Sequence, residues 1–325
     1  MTAPHDADAG QGSPGRRRPF PGRRRWARIV LTVVLLSLVA VGADVALLAG
    51  RVEGVDVDLA PDDTDGRTWV LVGLDSRDHL PADADPGDFG STVRNPGTRA
   101  DVVVVVHQTD AGTRVLSVPR DLFVVSGGTG ERLALTWLDG PRATVAALCD
   151  LGVPTDHLVT VDLAGFASVV DSIGGLDVDV PQPVRDRAAG LLLTRAGRQH
   201  LDGVTALALV RARHPEHLVH GAWVPATGDP DARADAAGTV LAALMDRVLA
   251  TQSHPVRLQS LAWAASGAVA VDPGTSPTDL LALARADTGP VTVLPAAEPR
   301  GRTLARFPTV DTTAAVAAAG MSCGG

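Results

Sequence analysis

Residues 97–124 read GTRADVVVVVHQTDAGTRVLSVPRDLFV. Val102–His107 is β-branched and apolar at alternate and intervening positions alike, which predicts a strand buried on both faces in the middle of a sheet. Thr113–Val118 has the same character and follows the turn Thr109–Gly112, so the two form a hairpin. Arg120 and Asp121 come directly after it, and Leu122–Val125 predicts a short further strand, broken by Gly127–Gly130. Upstream, Thr68–Leu74 (TWVLVGL) is another apolar run of strand length, ending at Asp75. Between them, residues 78–96 are rich in Asp, Pro and Gly and predict a loop.

Downstream the pattern alternates. Helical spacing covers Pro141–Leu151, with Gly152 as its stop. A strand is predicted over His157–Asp162, a helix over Leu163–Ile173 stopped by Gly174 and Gly175, and a strand over Leu176–Val180. Helices follow over Leu201–Val210 and Asp231–Ala250. Weaker alternation continues to the end, with a helix near Pro277–Ala286 and a strand near Val291–Leu294. The fold class is therefore α/β with a mixed central sheet.

With 325 residues, 45% hydrophobic, there is ample material for a core, and neither a disordered chain nor a disulfide-stapled miniprotein fits. The charge is unevenly placed. Residues 1–28 hold seven Arg against two Asp, a net of +5, and the rest holds 22 Arg against 35 acids, a net of −13. The first 28 residues read as a disordered basic tail. Residues 29–49 read as one membrane-spanning helix, and no second run of that length follows. Seven Arg before the span place the N-terminus in the cytoplasm and the body outside. A cleaved signal peptide is the competing reading; the long basic lead and the apolar continuation past Asp44 favour an uncleaved anchor. An outward-facing acidic body argues against nucleic-acid binding. Residues 50–67 read as a linker, 68–250 as the principal domain, and 251–325 as a part completing or resting on it. Outside the cytoplasm, Cys149 and Cys323 can form a disulfide or stand as two thiols.

The informative polar residues sit beside predicted strand ends: Asp75, Arg99, Asp101, Arg120 and Asp121, with Arg211 and Arg213 after one helix and Arg233 opening the next. In open α/β sheets ligands gather at such places. Arginine forks match phosphate oxygens, and carboxylates suit Mg²⁺. Each residue alone reads equally as a surface ion pair or a turn residue. Together they lead to an anionic ligand, with or without a metal. His214, His217 and His220 fall at three-residue intervals but in a predicted loop, and read as its polar rim. No nucleophile elbow or Cys/His pair suggests a hydrolase triad.

The strings VLVGLDSR (70–77), GTRADVVVVVHQTDAGTRVLSVPRDLFV, DHLVTVDLAGFASVVDSIGGLDVDVPQPVRD (156–186) and AGRQHLDGVTALALVRARH (196–214) together resemble the LytR-CpsA-Psr family over roughly residues 68–250. The resemblance implies an α/β/α sandwich with a pocket for a polyprenyl chain. It implies a membrane-anchored extracytoplasmic phosphotransferase that moves a glycopolymer from a polyprenyl-pyrophosphate carrier onto peptidoglycan. It further implies Asp75 and Asp101 as Mg²⁺ ligands, and Arg99, Arg120, Arg132, Arg211, Arg213 and Arg233 as the pyrophosphate grip. Asp75, Arg120 and Asp121 are the implied catalytic set, with Asp75 or Asp121 taking the acceptor's proton. Arg132 stands where the family usually has Lys, and Trp137 stands at an aromatic position. Ala134 replaces the usual Asn, and Ala236 and Ala237 replace an Arg-Gln pair. These departures keep a second reading open: a non-catalytic paralogue that binds polyprenyl phosphate or wall polymer.

Overall fold

The computed structural model describes residues 22–61, 66–76, 80–81, 84–89, 96–126, 128–226, 232–251, 253–286, 288–299 and 304–323. The chain divides into two units, Met1–Leu47 and Leu48–Gly325. The first is helical: α1 spans Gly22–Ala49. Within it Ile29–Ala49, with mean hydropathy 2.5, is long and apolar enough to cross a membrane, rising about 31 Å at 1.5 Å per residue. Leu31, Leu35 and Leu38 stand exposed on it. Of the expected basic tail, residues 1–21 lie outside the described residues.

In the second unit the elements run β1 (Glu53–Gly54), β2 (Arg67–Leu74), β3 (Ala100–Thr109), β4 (Gly112–Val118), β5 (Phe123–Ser126), β6 (Thr129–Arg132), α2 (Leu133–Thr136) and α3 (Pro141–Asp150). Then come β7 (His157–Asp162), α4 (Leu163–Ser172), β8 (Leu176–Val180), β9 (Val184–Asp186), β10 (Leu191–Leu193), β11 (Gly197–Leu201) and α5 (Gly203–Arg211). The rest is β12 (Glu216–Val219), β13 (Ala222–Pro225), α6 (Ala232–Thr251), α7 (Pro255–Ser266), β14 (Val269–Val271), α8 (Pro277–Ala284), β15 (Thr288–Val293) and α9 (Val310–Ala318).

Seven strands form one sheet in the order β1-β14-β7-β2-β3-β4-β15. It is mixed: β2 runs antiparallel to β3 and parallel to β7, while β15 runs parallel to β4. The central strand β3 buries Val103 and Val105 on one face and Val104 and Val106 on the other, as its unbroken valine run requires. On the first face α3 and α9 cover the sheet through Leu148 and Val316, beside the fully buried Leu158; Leu158→Ala there would cost about 2–5 kcal/mol. On the second face Leu241 of α6 and Leu280 of α8 approach Trp69 and Val115. Behind them, α4, α5 and α6 share a further core with β8 and β9.

Several expectations are corrected. Residues 51–61 are not a free linker: Val55, Val57 and Leu59 rest on the core, and β1 pairs with β14. The helix expected over Leu201–Val210 starts later, because Leu201 ends β11 and Asp202 caps α5 by accepting the Thr205 N–H at 2.8 Å. The histidine segment is a hairpin, β12–β13, rather than a loop. Asp231, expected as the first residue of α6, lies outside the described residues. Cys149 and Cys323 form a disulfide, tying the end of α3 to the C-terminal segment across 174 residues.

Candidate functional site

The β3–β4 hairpin delivers two of the key segments to one edge. β2 and β3 slip register between Gly73 and Leu74, and Asp75 closes the strand end by donating its N–H to the Arg99 carbonyl at 2.9 Å. The Asp75 side chain is buried, only 4% exposed. Asp101, at the start of β3, is gripped from two sides. Arg120, just past β4, pairs with one carboxylate oxygen, and Arg213 Nη2 lies 2.7 Å from the other. Arg120 Nε also lies 3.7 Å from Asp121 Oδ2, and Arg132 Nη1 lies 3.0 Å from Asp121 Oδ1. The result is a continuous chain of alternating charge: Arg213, Asp101, Arg120, Asp121, Arg132. Every arginine in it faces a carboxylate that a more highly charged phosphate could replace.

The turn carrying Arg213 is held from beneath by a residue that sequence reasoning did not single out. Asp186, in β9, is 1% exposed. Its Oδ2 accepts the N–H groups of Arg213 and His214, each at 2.6 Å, and its Oδ1 accepts the Ala188 N–H at 2.9 Å. An ionised acceptor makes such bonds strong and fixes the backbone. The signal was present in PVRD, inside the string that carries the family resemblance, but a lone Asp next to Arg reads as surface. Arg306 was missed too. It is buried, donates to the Ala296 and Ala297 carbonyls, and its main-chain N–H donates to the Asp121 carbonyl at 2.9 Å.

Other expected residues are placed differently. Arg211 donates to the Asp88 carbonyl at 3.2 Å. Arg99 turns back on its own loop, with its guanidinium on the Pro96 and Gly97 carbonyls. Arg233 falls in the first turn of α6, and its side chain lies outside what is described. His217 Nδ1 lies 3.3 Å from the Pro183 carbonyl, and the described residues contain no group of three or more His, Cys, Asp or Glu placed to hold a metal. Asp75 is buried, and both carboxylate oxygens of Asp101 are engaged by Arg120 and Arg213. Ala134 is buried in α2 and donates its N–H to the Arg120 carbonyl at 2.9 Å. Trp137 packs on the first-face core. Beside Arg132, burial raises the Glu131 carboxyl above its ordinary range, with the charge of Asp139 adding to the shift.

Next to the charged chain lies a cavity of about 390 Å³ between the second sheet face and α4–α8. Its walls are overwhelmingly apolar, including Val102, Val104, Phe166, Leu207, Leu241 and Leu261, while Asp101, Arg211 and Arg213 also line it. Ala237 lines both this cavity and the smaller cleft formed by Arg120, Asp121 and Arg306. A charged end and a long apolar end thus adjoin, the arrangement a lipid with an anionic head would fill.

The LytR_cpsA_psr family matches residues 43–290. The probable cell wall biosynthesis protein LcpB of Corynebacterium glutamicum is 32% identical over 57% of this chain and 44% of its own length. The polyisoprenyl-teichoic acid–peptidoglycan teichoic acid transferase TagT of Bacillus subtilis is 25% identical over 61% of this chain and 66% of its own. The chain thus spans between 44% and 66% of the length of these relatives. Among solved structures, a LytR-Csp2A-Psr enzyme from Actinomyces oris superposes with a TM-score of 0.70 at 37% identity, covering 84% of this chain and 97% of that one.

Proposed function

The chain belongs to the LytR-CpsA-Psr family, and from that premise we propose that it is a membrane-anchored transferase of cell-wall assembly. It moves a glycopolymer from a polyprenyl-pyrophosphate carrier onto peptidoglycan. α1 anchors it, with the basic N-terminus inside and the body outside the plasma membrane. The observation that carries the reading is the juxtaposition of the Arg213–Asp101–Arg120–Asp121–Arg132 chain with the 390 Å³ apolar cavity. One ligand with a pyrophosphate head and an isoprenoid tail satisfies both.

In this reading the carrier's pyrophosphate draws Arg120 and Arg213 away from Asp101, each exchanging a carboxylate for phosphate oxygens. A hydroxyl of the acceptor sugar attacks the phosphorus that bears the glycopolymer. A phosphodiester forms, the P–O–P bond breaks, and polyprenyl phosphate leaves with the negative charge that Arg120, Arg132 and Arg211 stabilise. Asp121, held between Arg120 and Arg132, positions both. The hydroxyl's proton passes to Asp75, the buried carboxylate at the strand end. Asp75 and Asp101 would also hold Mg²⁺, which would neutralise the pyrophosphate charge.

The experiment is turnover of a synthetic polyprenyl-pyrophosphate sugar with a peptidoglycan acceptor, with Mg²⁺ and with chelator. Transfer in Mg²⁺ and its loss in chelator are expected. A second reading, binding without catalysis, is favoured by Ala237, which lines both the cavity and the charged cleft in place of a polar family residue. Tight binding of the carrier with no transfer would support it.

A further inference from the structure

The residues immediately after the apolar span are fixed to the body. Arg51, two positions past Ala49, lays its guanidinium 4.0 Å from the ring centre of Trp263 in α7. Its Nε donates to Ser266 Oγ at 3.2 Å. Gly267 makes room for this contact, since a Cβ there would meet Arg51 Nη2 at 2.6 Å. Beyond Arg51, β1 joins the sheet edge and the Val55 N–H donates to the Val271 carbonyl at 2.7 Å. Two residues of chain reach at most about 7 Å. Trp263 therefore lies only one arginine side chain further from the point where the span ends.

α7 is thinly covered for a helix of its length. Ser266 is its one buried residue, and residues 253–260 are all exposed. Val256 is 79% and Trp263 48% exposed; seven residues apart, they share one face with Ser260. On the opposite side, Leu261 and Ala265 line the apolar cavity. Tryptophan is the residue that prefers the boundary between lipid and water, and Arg51 and the exposed Arg257 suit phosphate headgroups.

We propose that α7 rests in the headgroup layer of the membrane, with its Val256–Ser260–Trp263 face toward lipid. The wall of the cavity then adjoins the bilayer, and the carrier's apolar chain enters past α7 without crossing water. The proposal rests on the reading of α1 as a membrane anchor, and the test separates the two. Cys149 and Cys323 are joined, so a single added cysteine takes a nitroxide label alone. The full chain is placed in nanodiscs of phosphatidylethanolamine and phosphatidylglycerol, with labels at Val256→Cys, Ser260→Cys, Leu36→Cys in the span, and Val310→Cys at the exposed start of α9, on the opposite face of the sheet. Power saturation with oxygen and a water-soluble nickel chelate reads depth. Labels at 256 and 260 should favour oxygen, lying between the Leu36→Cys and Val310→Cys values. If both match Val310→Cys while Leu36→Cys reports lipid, the membrane contact of α7 is refuted and the anchor stands. If Leu36→Cys reports water, the anchor fails and the proposal falls with it.

Discussion

Replacing Asp186 should separate the support of the site from the site itself. Its carboxylate accepts three main-chain N–H groups, two of them on Oδ2 from Arg213 and His214 and one on Oδ1 from Ala188. In Asp186→Ala all three donors lose an acceptor that is itself only 1% exposed. Each orphaned donor costs about 1–3 kcal/mol, and neighbouring losses do not add fully, so about 3–5 kcal/mol is expected. Asp186→Asn can place its carbonyl oxygen where Oδ2 lies and keep the Arg213 and His214 bonds. It turns an amide donor toward the Ala188 N–H and removes the charge, for a cost of about 1–2 kcal/mol. Urea unfolding should therefore rank Asp186→Ala well below Asp186→Asn, and both below the parent. Freed from its turn, Arg213 loses its aim at Asp101 and the phosphate site; a loss of about 1–2 kcal/mol there lowers carrier affinity roughly 5- to 30-fold. If Asp186→Ala unfolds at the parent's midpoint and binds the carrier as tightly, the support assigned to Asp186 is wrong.

The other expectations are shorter. Arg120→Ala and Arg211→Ala should each lower carrier binding or turnover roughly 10- to 150-fold, as loss of one charge-assisted contact of about 1.5–3 kcal/mol requires, whereas His217→Ala should leave steady-state rates unchanged. Breaking the 149–323 disulfide with Cys323→Ser should destabilise the body by up to about 5 kcal/mol, because the cross-link closes a long loop, seen as a lower denaturation midpoint that reductant no longer changes. Asp279, hydrogen-bonded by Ser276 in the cap of α8 and facing Arg67, has its carboxyl held below the ordinary 3.8. A depressed carboxylate stabilises fully above the unfolded value and less as the pH falls through the folded one. Thermal melts should therefore show Asp279→Asn less stable than the parent at pH 7, with the gap closing below pH 3.8.

The central sheet was legible because β2, β3 and β7 are largely buried strands whose sequences leave little alternative. The charged chain was legible in part: Asp101, Arg120, Asp121, Arg132 and Arg213 do come together, since Asp101, Arg120 and Asp121 flank readable strands and Arg213 follows a readable helix, whereas Arg132 was reached only through the family resemblance. Arg99 shows the limit, because its side chain is turned by loop carbonyls that no spacing reveals. The sheets formed by β8–β11 and by β9, β10, β12 and β13 escaped in large part, their strands being three to five residues long with polar positions between. The stem at Val55–Leu59 alternates apolar and acidic residues, a strand period, yet its acids and the nearby Pro read as linker. It docks through Val55, Val57 and Leu59 on the core and through main-chain pairing at either end, which composition does not carry. α7 was missed because its exposed face leaves almost no amphipathic contrast. Asp186 was passed over because burial, not residue type, makes it consequential.

The central claim is that one amphiphile fills both the arginine chain and the apolar cavity. A polyprenyl-pyrophosphate sugar with a photoreactive group in its isoprenoid tail tests it directly on the full chain in nanodiscs, with crosslinked peptides identified by mass spectrometry. The account predicts crosslinks to β3 around Val102–Val106 and to α6 around Val240–Val248, competed by unlabelled carrier and strongly reduced in Arg120→Ala. Crosslinks confined to α1, or cavity crosslinks at full strength in Arg120→Ala, would contradict it.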